Sequence, residues 1–220
     1  MAKFTLEDLG HRIAFDYRVA MPMQYKLMEL SVHRKAKDAR AHKNAISDPA
    51  DANKAKHYRV AYRIKTLVGL DKYHDLTVVH IDLLANGNYP FSEPSCWVIS
   101  KPMPWSPHFK KGAPICIGEI WKQAKGKILL GHLLVHIAKL LNFDEEARGG
   151  GYVGWNGAAV RFWKKKFKEM PLTTGLTYPN LPLEITHGVQ DSKITPTLFR
   201  PEGEIQLAPS SELEKLFHPT

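Results

Sequence analysis

Cysteine is scarce in this chain, since only Cys96 and Cys116 occur among its 220 residues. Two cysteines cannot form the framework of several disulfides that holds small secreted domains together. The chain also lacks an apolar run of about 20 residues, the length that a membrane-spanning helix needs, and its first residues contain no apolar stretch of the signal-peptide kind. We therefore expect a cytoplasmic protein with a free thiol and no membrane partner.

Acidic residues are fewer than basic ones, and the formal net charge is +9. Such a charge can attract acidic proteins or nucleic acid without selecting between them. The segment 161–168 interleaves aromatic residues with lysine and arginine, a pattern that can bind single-stranded nucleic acid. It is more typical of an amphipathic helix with a solvated lysine face. We favour the helix and do not expect nucleic acid as a partner, although the segment could also form a surface for a protein partner.

Helical spacing dominates the first part of the chain. Leu6, Leu9, Ile13 and Tyr17 recur at intervals of three or four residues, which predicts a helix. Pro22 interrupts this pattern. Tyr25, Met28 and Val32 then resume the same spacing, so that the first 46 residues are expected to be largely helical.

Alternation of apolar and polar residues follows, and it predicts three strands over 58–68, 79–83 and 96–100. The prolines at 102, 104 and 107 predict an irregular loop. Helices are expected over 127–142, which has one broad apolar face, and after Asn156, which can cap a helix. Because strands and helices are segregated along the chain, the fold class is expected to be α+β. We divide the chain into a helical segment (1–57), a core (58–170) and a C-terminal extension (171–220).

The residues around Cys116 form an ordered set. The set comprises Tyr89-Pro90, the apolar stretch Trp97-Val98-Ile99, Ser106-Pro107-His108, Gly112, Ile115-Cys116-Ile117, Trp121 and the helix with Leu129, Leu133 and Ile137. This order resembles that of ubiquitin-conjugating (E2) enzymes over about residues 58–168. The resemblance implies the ubiquitin-conjugating (UBC-like) fold, an antiparallel meander sheet flanked by an N-terminal helix and C-terminal helices.

A second pattern narrows the resemblance. Cys116 is followed by Glu119, His132 and His136, which is similar to a bacterial branch of E2-like proteins named for a Cys-Glu-His-His signature. The resemblance implies an antiphage conjugation system, in which an E1-like activating enzyme, a ubiquitin-like protein and a target protein with an acceptor amine are the partners. It implies no cofactor for this chain, because the E1-like partner consumes the ATP.

Thioester chemistry assigns the roles. Cys116 would carry the acyl group as its nucleophile, whereas Cys96 beside Trp97 is assigned to the core. In the absence of the surrounding pattern, Cys116 could equally be a small buried hydrophobe. His108 lies where the family has a His-Pro-Asn asparagine that supports the active-site loop and stabilises the oxyanion, so that the usual mechanism is in question at this position.

The roles of the other polar residues stay open. His132 and His136 share a helix face because they are four residues apart, and either could act as a base or donate to the oxyanion. Glu119 could orient a histidine or help to deprotonate the amine, and His108 could replace the missing asparagine as a donor. Cys116, Glu119, His132 and His136 are also possible zinc ligands, although we expect no metal. Two non-enzymatic alternatives are an E2-like binding module and a basic nucleic-acid-binding domain.

Overall fold

The elements follow one another in the order helix, strands, helices, with one short α-helix between the first two strands. The computed structural model describes residues 4–24, 27–124, 126–144, 156–165 and 170–179, which all lie within the unit Met1–Gln190. The elements are α1 (Leu6–Ala20), β1 (Met28–His33), α2 (Ala36–Ala41), β2 (His57–Tyr62), β3 (Thr66–Gly69), β4 (Lys72–His74), β5 (Thr77–Asp82), β6 (Ser95–Val98), α3 (Ile120–Ala124), α4 (Leu130–Asn142) and α5 (Gly157–Lys165). Most of the predicted C-terminal extension, 171–220, lies outside the described residues.

Helix α1 begins at a reciprocal cap. The Asp8 amide donates to the Thr5 hydroxyl at 3.2 Å, and the Thr5 amide donates to the Asp8 carboxylate at 2.8 Å, so two of the unpaired amides at the helix start gain acceptors. Ile13, Tyr17 and Ala20 are buried along one face. The prediction of this helix is confirmed, and it ends just before Met21-Pro22.

The second predicted helix is wrong, because residues 28–33 form strand β1 instead. Met28, Leu30 and Val32 are buried at alternate positions, and β1 pairs antiparallel with β2, with Leu30 opposite Val60. The spacing of Met28 and Val32 fits a helix as well as a strand. Pairing with β2 decides between the two, and helical periodicity carries no information about that pairing.

The main sheet has four antiparallel strands in the order β1-β2-β5-β6. The single strand predicted over 58–68 is wrong, because β2 ends at Tyr62, and Thr66–Gly69 pairs with β4 in a separate two-stranded sheet. Strand β2 ends where its neighbour does, since the last contact to β1 is the Arg63 amide on the Leu27 carbonyl at 2.8 Å. Strand β4 thus lies in the stretch between the strands predicted over 58–68 and 79–83.

The strands predicted near 79–83 and 96–100 correspond to β5 and β6. They pair with each other in register, with Ile81 opposite Cys96. Helices α1 and α4 bury their apolar faces in the same core as these strands, while α2 lies against β1, β2 and β5. The chain is thus an α+β protein with an N-terminal helix and a four-stranded antiparallel sheet. In the described part, no helix has the length and apolar character that a bilayer crossing requires.

A buried carboxylate joins α1 to the start of α4. Asp16 is 0% exposed, and its Oδ2 accepts from Arg12 Nε at 2.6 Å and from the Tyr89 hydroxyl. Its Oδ1 accepts from the Leu130 amide at 2.9 Å. Burial, with Asp16 next in importance, raises the pKa of Tyr89 well above its ordinary value, so its hydroxyl keeps its proton and donates. The carboxylate therefore caps a helix that is distant in sequence.

The guanidinium of Arg12 extends the same network. It donates to the Gly126 carbonyl at 2.6 Å and to the Ile128 carbonyl, so that the turn before α4 is fixed to α1. Gly126 has a φ of +82°, and a Cβ there would lie 3.0 Å from the Phe91 ring. Only glycine meets both requirements at this position without strain.

We expect Asp16→Asn to lower the free energy of unfolding by about 3–5 kcal/mol, because it leaves the Arg12 guanidinium buried without its countercharge. Urea denaturation followed by tryptophan fluorescence measures the change.

The matched control is Glu29→Gln. It breaks the pair between Glu29 and Arg63, whose side chains are 59% and 55% exposed, and should cost less than about 1 kcal/mol. Equal losses in the two variants would show that the Asp16 network is not a major source of stability.

Candidate active site

Cys116 lies between two buried isoleucines in an extended segment beside the sheet. The Ile115 amide donates to the Cys96 carbonyl of β6 at 2.7 Å, and Ile115 and Ile117 are 6% and 5% exposed. Since consecutive side chains of an extended segment point to opposite sides, Cys116 faces away from the core and is half-buried. Gly118 follows with a φ of +69° and turns the chain toward α3.

Cys96, unlike Cys116, is a fully buried cysteine. Its side chain is 1% exposed and belongs to the main core, as predicted. Burial raises the pKa of the Cys96 thiol far above its ordinary value. A thiol that stays protonated is a poor nucleophile, so Cys96 is a structural residue.

His108 is bound to the backbone of Cys116 by two hydrogen bonds. The Cys116 amide donates to the His108 carbonyl at 2.9 Å, and His108 Nδ1 lies 3.0 Å from the Cys116 carbonyl oxygen. A carbonyl oxygen only accepts, so Nδ1 carries the hydrogen. Burial lowers the pKa of His108, partly offset by the bond to Cys116, and the neutral ring then has its lone pair on Nε2.

His136 approaches the same segment from α4. Burial lowers the pKa of His136 to about 4; the nearby His108 adds to this shift, and the backbone of Ile117 opposes it. Both imidazoles are therefore neutral at pH 7. The fold thus brings together three of the five predicted site residues: Cys116, His108 and His136.

His132 has a local task at the start of α4. The Leu129 amide donates to His132 Nδ1 at 3.2 Å, so the imidazole accepts a hydrogen bond from an amide that precedes the helix. The sequence placed His132 and His136 on one helix face, which the helix α4 confirms. It gave no indication of this capping contact.

Glu119 lies on the surface beside the site. Its side chain is 62% exposed, and its carboxylate is 3.3 Å from Lys122 Nζ. Within the described residues it makes no hydrogen bond or ion pair with a histidine. Of the two roles predicted for Glu119, orientation of a histidine is not seen among the described residues, and help in deprotonating an amine stays a prediction.

The possible zinc ligands are not arranged as a metal site. Among the residues that the structure describes, no group of three or more histidine, cysteine, aspartate or glutamate side chains could hold a metal ion. Glu119 pairs with Lys122 at the surface, and His132 accepts from the Leu129 amide.

The aromatic residues of the basic segment take part in packing. Trp163 is 2% exposed and donates from Nε1 to the Trp105 carbonyl at 3.2 Å, and the Phe162 ring lies 4.9 Å from that of Trp105. Lys164 and Lys165 are exposed. For residues 161–165 this is the amphipathic helix that we favoured, and the buried Trp163 ring is not open to stacking with bases. Residues 166–168 lie outside the described residues.

Asn156 caps α5 as predicted, since its Oδ1 accepts from the Ala159 amide at 3.2 Å. Sequence reasoning missed Asp16, which positions the helix that bears both histidines. One signal was available: Asp16 falls within the apolar face of α1, beside Ile13 and Tyr17. A charged residue in such a place indicates a buried partner.

No protein-family model matches the chain, and no curated protein matches it. The functional interpretation therefore depends on the order of the motifs and on the geometry around Cys116.

We predict that acid destabilises the protein through its buried histidines. A folded-state pKa of about 4 for His136 lies below its ordinary value of 6.5, so the unfolded chain binds more protons between these values. The contribution of His136 to the free energy of unfolding should therefore be at its maximum above pH 6.5 and should fall as the pH is lowered toward 4. His80, whose pKa is also lowered to about 4 by burial, contributes in the same direction.

Urea denaturation at several pH values tests this behaviour. His136→Gln should reduce the loss of stability between pH 6.5 and 4, while His11→Gln, which removes an exposed imidazole from α1, should keep the loss seen in the unmodified protein. An unchanged loss in His136→Gln would contradict the assignment.

Proposed function

We propose that the chain is an E2-like conjugating enzyme of bacterial antiphage defence. Cys116 accepts the C-terminus of a ubiquitin-like protein from an E1-like activating enzyme as a thioester and passes it to a target amine. The observation that carries the proposal is the convergence of two neutral imidazoles, from separate elements, on the segment that presents a half-buried thiol. The α+β architecture, with an N-terminal helix and a four-stranded antiparallel sheet, is compatible with the UBC-like fold.

The first step is a thioester exchange. The Cys116 thiolate attacks the carbonyl carbon of the activator-bound thioester, a new carbon–sulfur bond forms, and the activator's cysteine leaves as a thiolate. The thiol proton of Cys116 passes to a base or to solvent. This step needs no reductant, oxidant or metal.

The second step transfers the acyl group to nitrogen. The target amine attacks the thioester carbon, the carbon–sulfur bond breaks, and Cys116 leaves as a thiolate. We assign the amine's proton to His108 Nε2, because Nδ1–H is bound to the Cys116 carbonyl and no group of the described chain hydrogen-bonds Nε2. A neutral imidazole is a suitable base near pH 7.

This assignment changes the role of His108 relative to the asparagine of the related family. A neutral His108 that donates from Nδ1 has no second N–H to offer an oxyanion. The oxyanion donor must therefore come from another group, such as a backbone amide. Glu119 completes the site as an exposed carboxylate that attracts the cationic target lysine.

The charging reaction tests the proposal. With activator, ubiquitin-like protein and ATP, the protein should form an adduct that a reductant cleaves, and Cys116→Ala should abolish it. Cys116→Ser should form an ester that resists the reductant. Gel electrophoresis with and without dithiothreitol measures each product.

Cys96→Ala is the matched control, because it removes the other thiol from the core and should charge at the normal rate. Normal charging of Cys116→Ala would refute the proposal. The complete absence of an adduct in the unmodified protein would favour a binding module instead.

His108→Asn should separate charging from transfer. An asparagine amide can still donate to the Cys116 carbonyl but has no basic nitrogen. We expect near-normal charging and a fall of about 100-fold or more in transfer to free lysine, the usual effect of losing a general base. Single-turnover discharge of the isolated thioester measures the rate.

Discharge to hydroxylamine provides the chemical control, because this amine is largely unprotonated at neutral pH and needs less help from a base. Its rate should stay close to that of the unmodified protein. An equal loss with lysine and hydroxylamine would assign His108 a positional role only.

A further inference from the structure

Asn156 joins the start of α5 to the loop that carries His108. Its backbone amide donates to the Pro107 carbonyl at 3.1 Å, and its side-chain Nδ2 donates to the Phe109 carbonyl at 3.2 Å. The carbonyl between them, that of His108, accepts from the Cys116 amide at 2.9 Å. One residue therefore holds the carbonyls on both sides of His108, while Cys116 holds the third.

The packing of helix α5 stabilises the contact between Asn156 and the loop that carries His108. The Trp163 ring stacks on that of Phe143 with centroids 4.1 Å apart, and Trp163 Nε1 holds the Trp105 carbonyl in the same loop. Phe143 directly follows α4, the helix that bears His136. The loop with His108 and the helix with His136 are thus fixed to one another through α5.

Position 156 requires a side chain that both accepts and donates a hydrogen bond. Capping requires only an acceptor, and serine, threonine or aspartate supplies one as well as asparagine does. Here Oδ1 accepts from the Ala159 amide while Nδ2 donates to the Phe109 carbonyl. A carboxylate could make the first bond but not the second, because it has no hydrogen to donate.

We propose that Asn156 is a positioning residue that holds His108 in its Nδ1–H form against the Cys116 carbonyl. The position of the His108 ring can be measured on the isolated chain and does not depend on the proposed function. Its effect on acyl transfer rests on the proposed function, because there His108 Nε2 receives the proton of the amine.

Asn156→Asp separates the two bonds, since it keeps the cap of α5 and removes the donor to the Phe109 carbonyl. Asn156→Ser is a second variant that caps without adding a charge. In protein with ¹⁵N-labelled histidine, the His108 ring should show an Nδ1–H signal in the unmodified chain. In both variants the His108 ring should instead be a mixture of the Nδ1–H and Nε2–H tautomers.

Urea denaturation shows whether each variant keeps its fold, so that the ring signals are compared between folded proteins. The reference spectrum comes from His108→Asn, which identifies the His108 resonances by their absence. Unchanged His108 signals in both folded variants would overturn the proposal.

Acyl transfer supplies a second, separate measurement. In both variants the maximal rate of discharge to lysine should fall at least 10-fold, while the lysine concentration for half-maximal rate stays the same. If the unmodified chain does not charge but the ring signals change as expected, the proposed function fails and the positioning role stands. Normal discharge with altered ring signals would show that the held form of His108 does not contribute to transfer.

Discussion

The site depends on the hydrogen bonds that the buried carboxylate of Asp16 accepts. Helix α4 begins after Leu129, a residue that cannot cap a helix with its side chain, and Asp16 supplies the missing acceptor from α1. Arg12 balances the buried charge and fixes the preceding turn through two carbonyls. Since α4 bears His132 and His136, the place of the histidines is set by the docking of the N-terminal helix.

Backbone hydrogen bonds fix the path of the segment that presents Cys116. The Ile115 amide donates to the Cys96 carbonyl, and the Cys116 amide donates to the His108 carbonyl. Such bonds survive substitution of many side chains, because each donor and acceptor belongs to the main chain. The path of this segment can therefore stay the same while the side chains around it vary.

Local features were predictable from the sequence, and those set by distant contacts were not. Helix α1 and the cap at Asn156 follow from spacing and residue type within a few positions. Strand β1 and the break after Tyr62 depend on which strands pair, which no short window contains. At the site, motif order singled out Cys116 and His108. The cap made by His132 and the surface position of Glu119 depend on how α4 and α3 are placed. The spacing of these residues in the sequence gives no information about that placement.

The bond from Leu130 to Asp16 spans 114 residues of chain, and this separation affects how the protein is made. During synthesis at ordinary rates, α1 leaves the ribosome on the order of ten seconds before its buried partner exists. Until then the Asp16 carboxylate lacks its bond to the Leu130 amide, although α1 can already pack on residues 49–54. The place of α4, and with it that of His132 and His136, is therefore fixed only late in the synthesis of the chain.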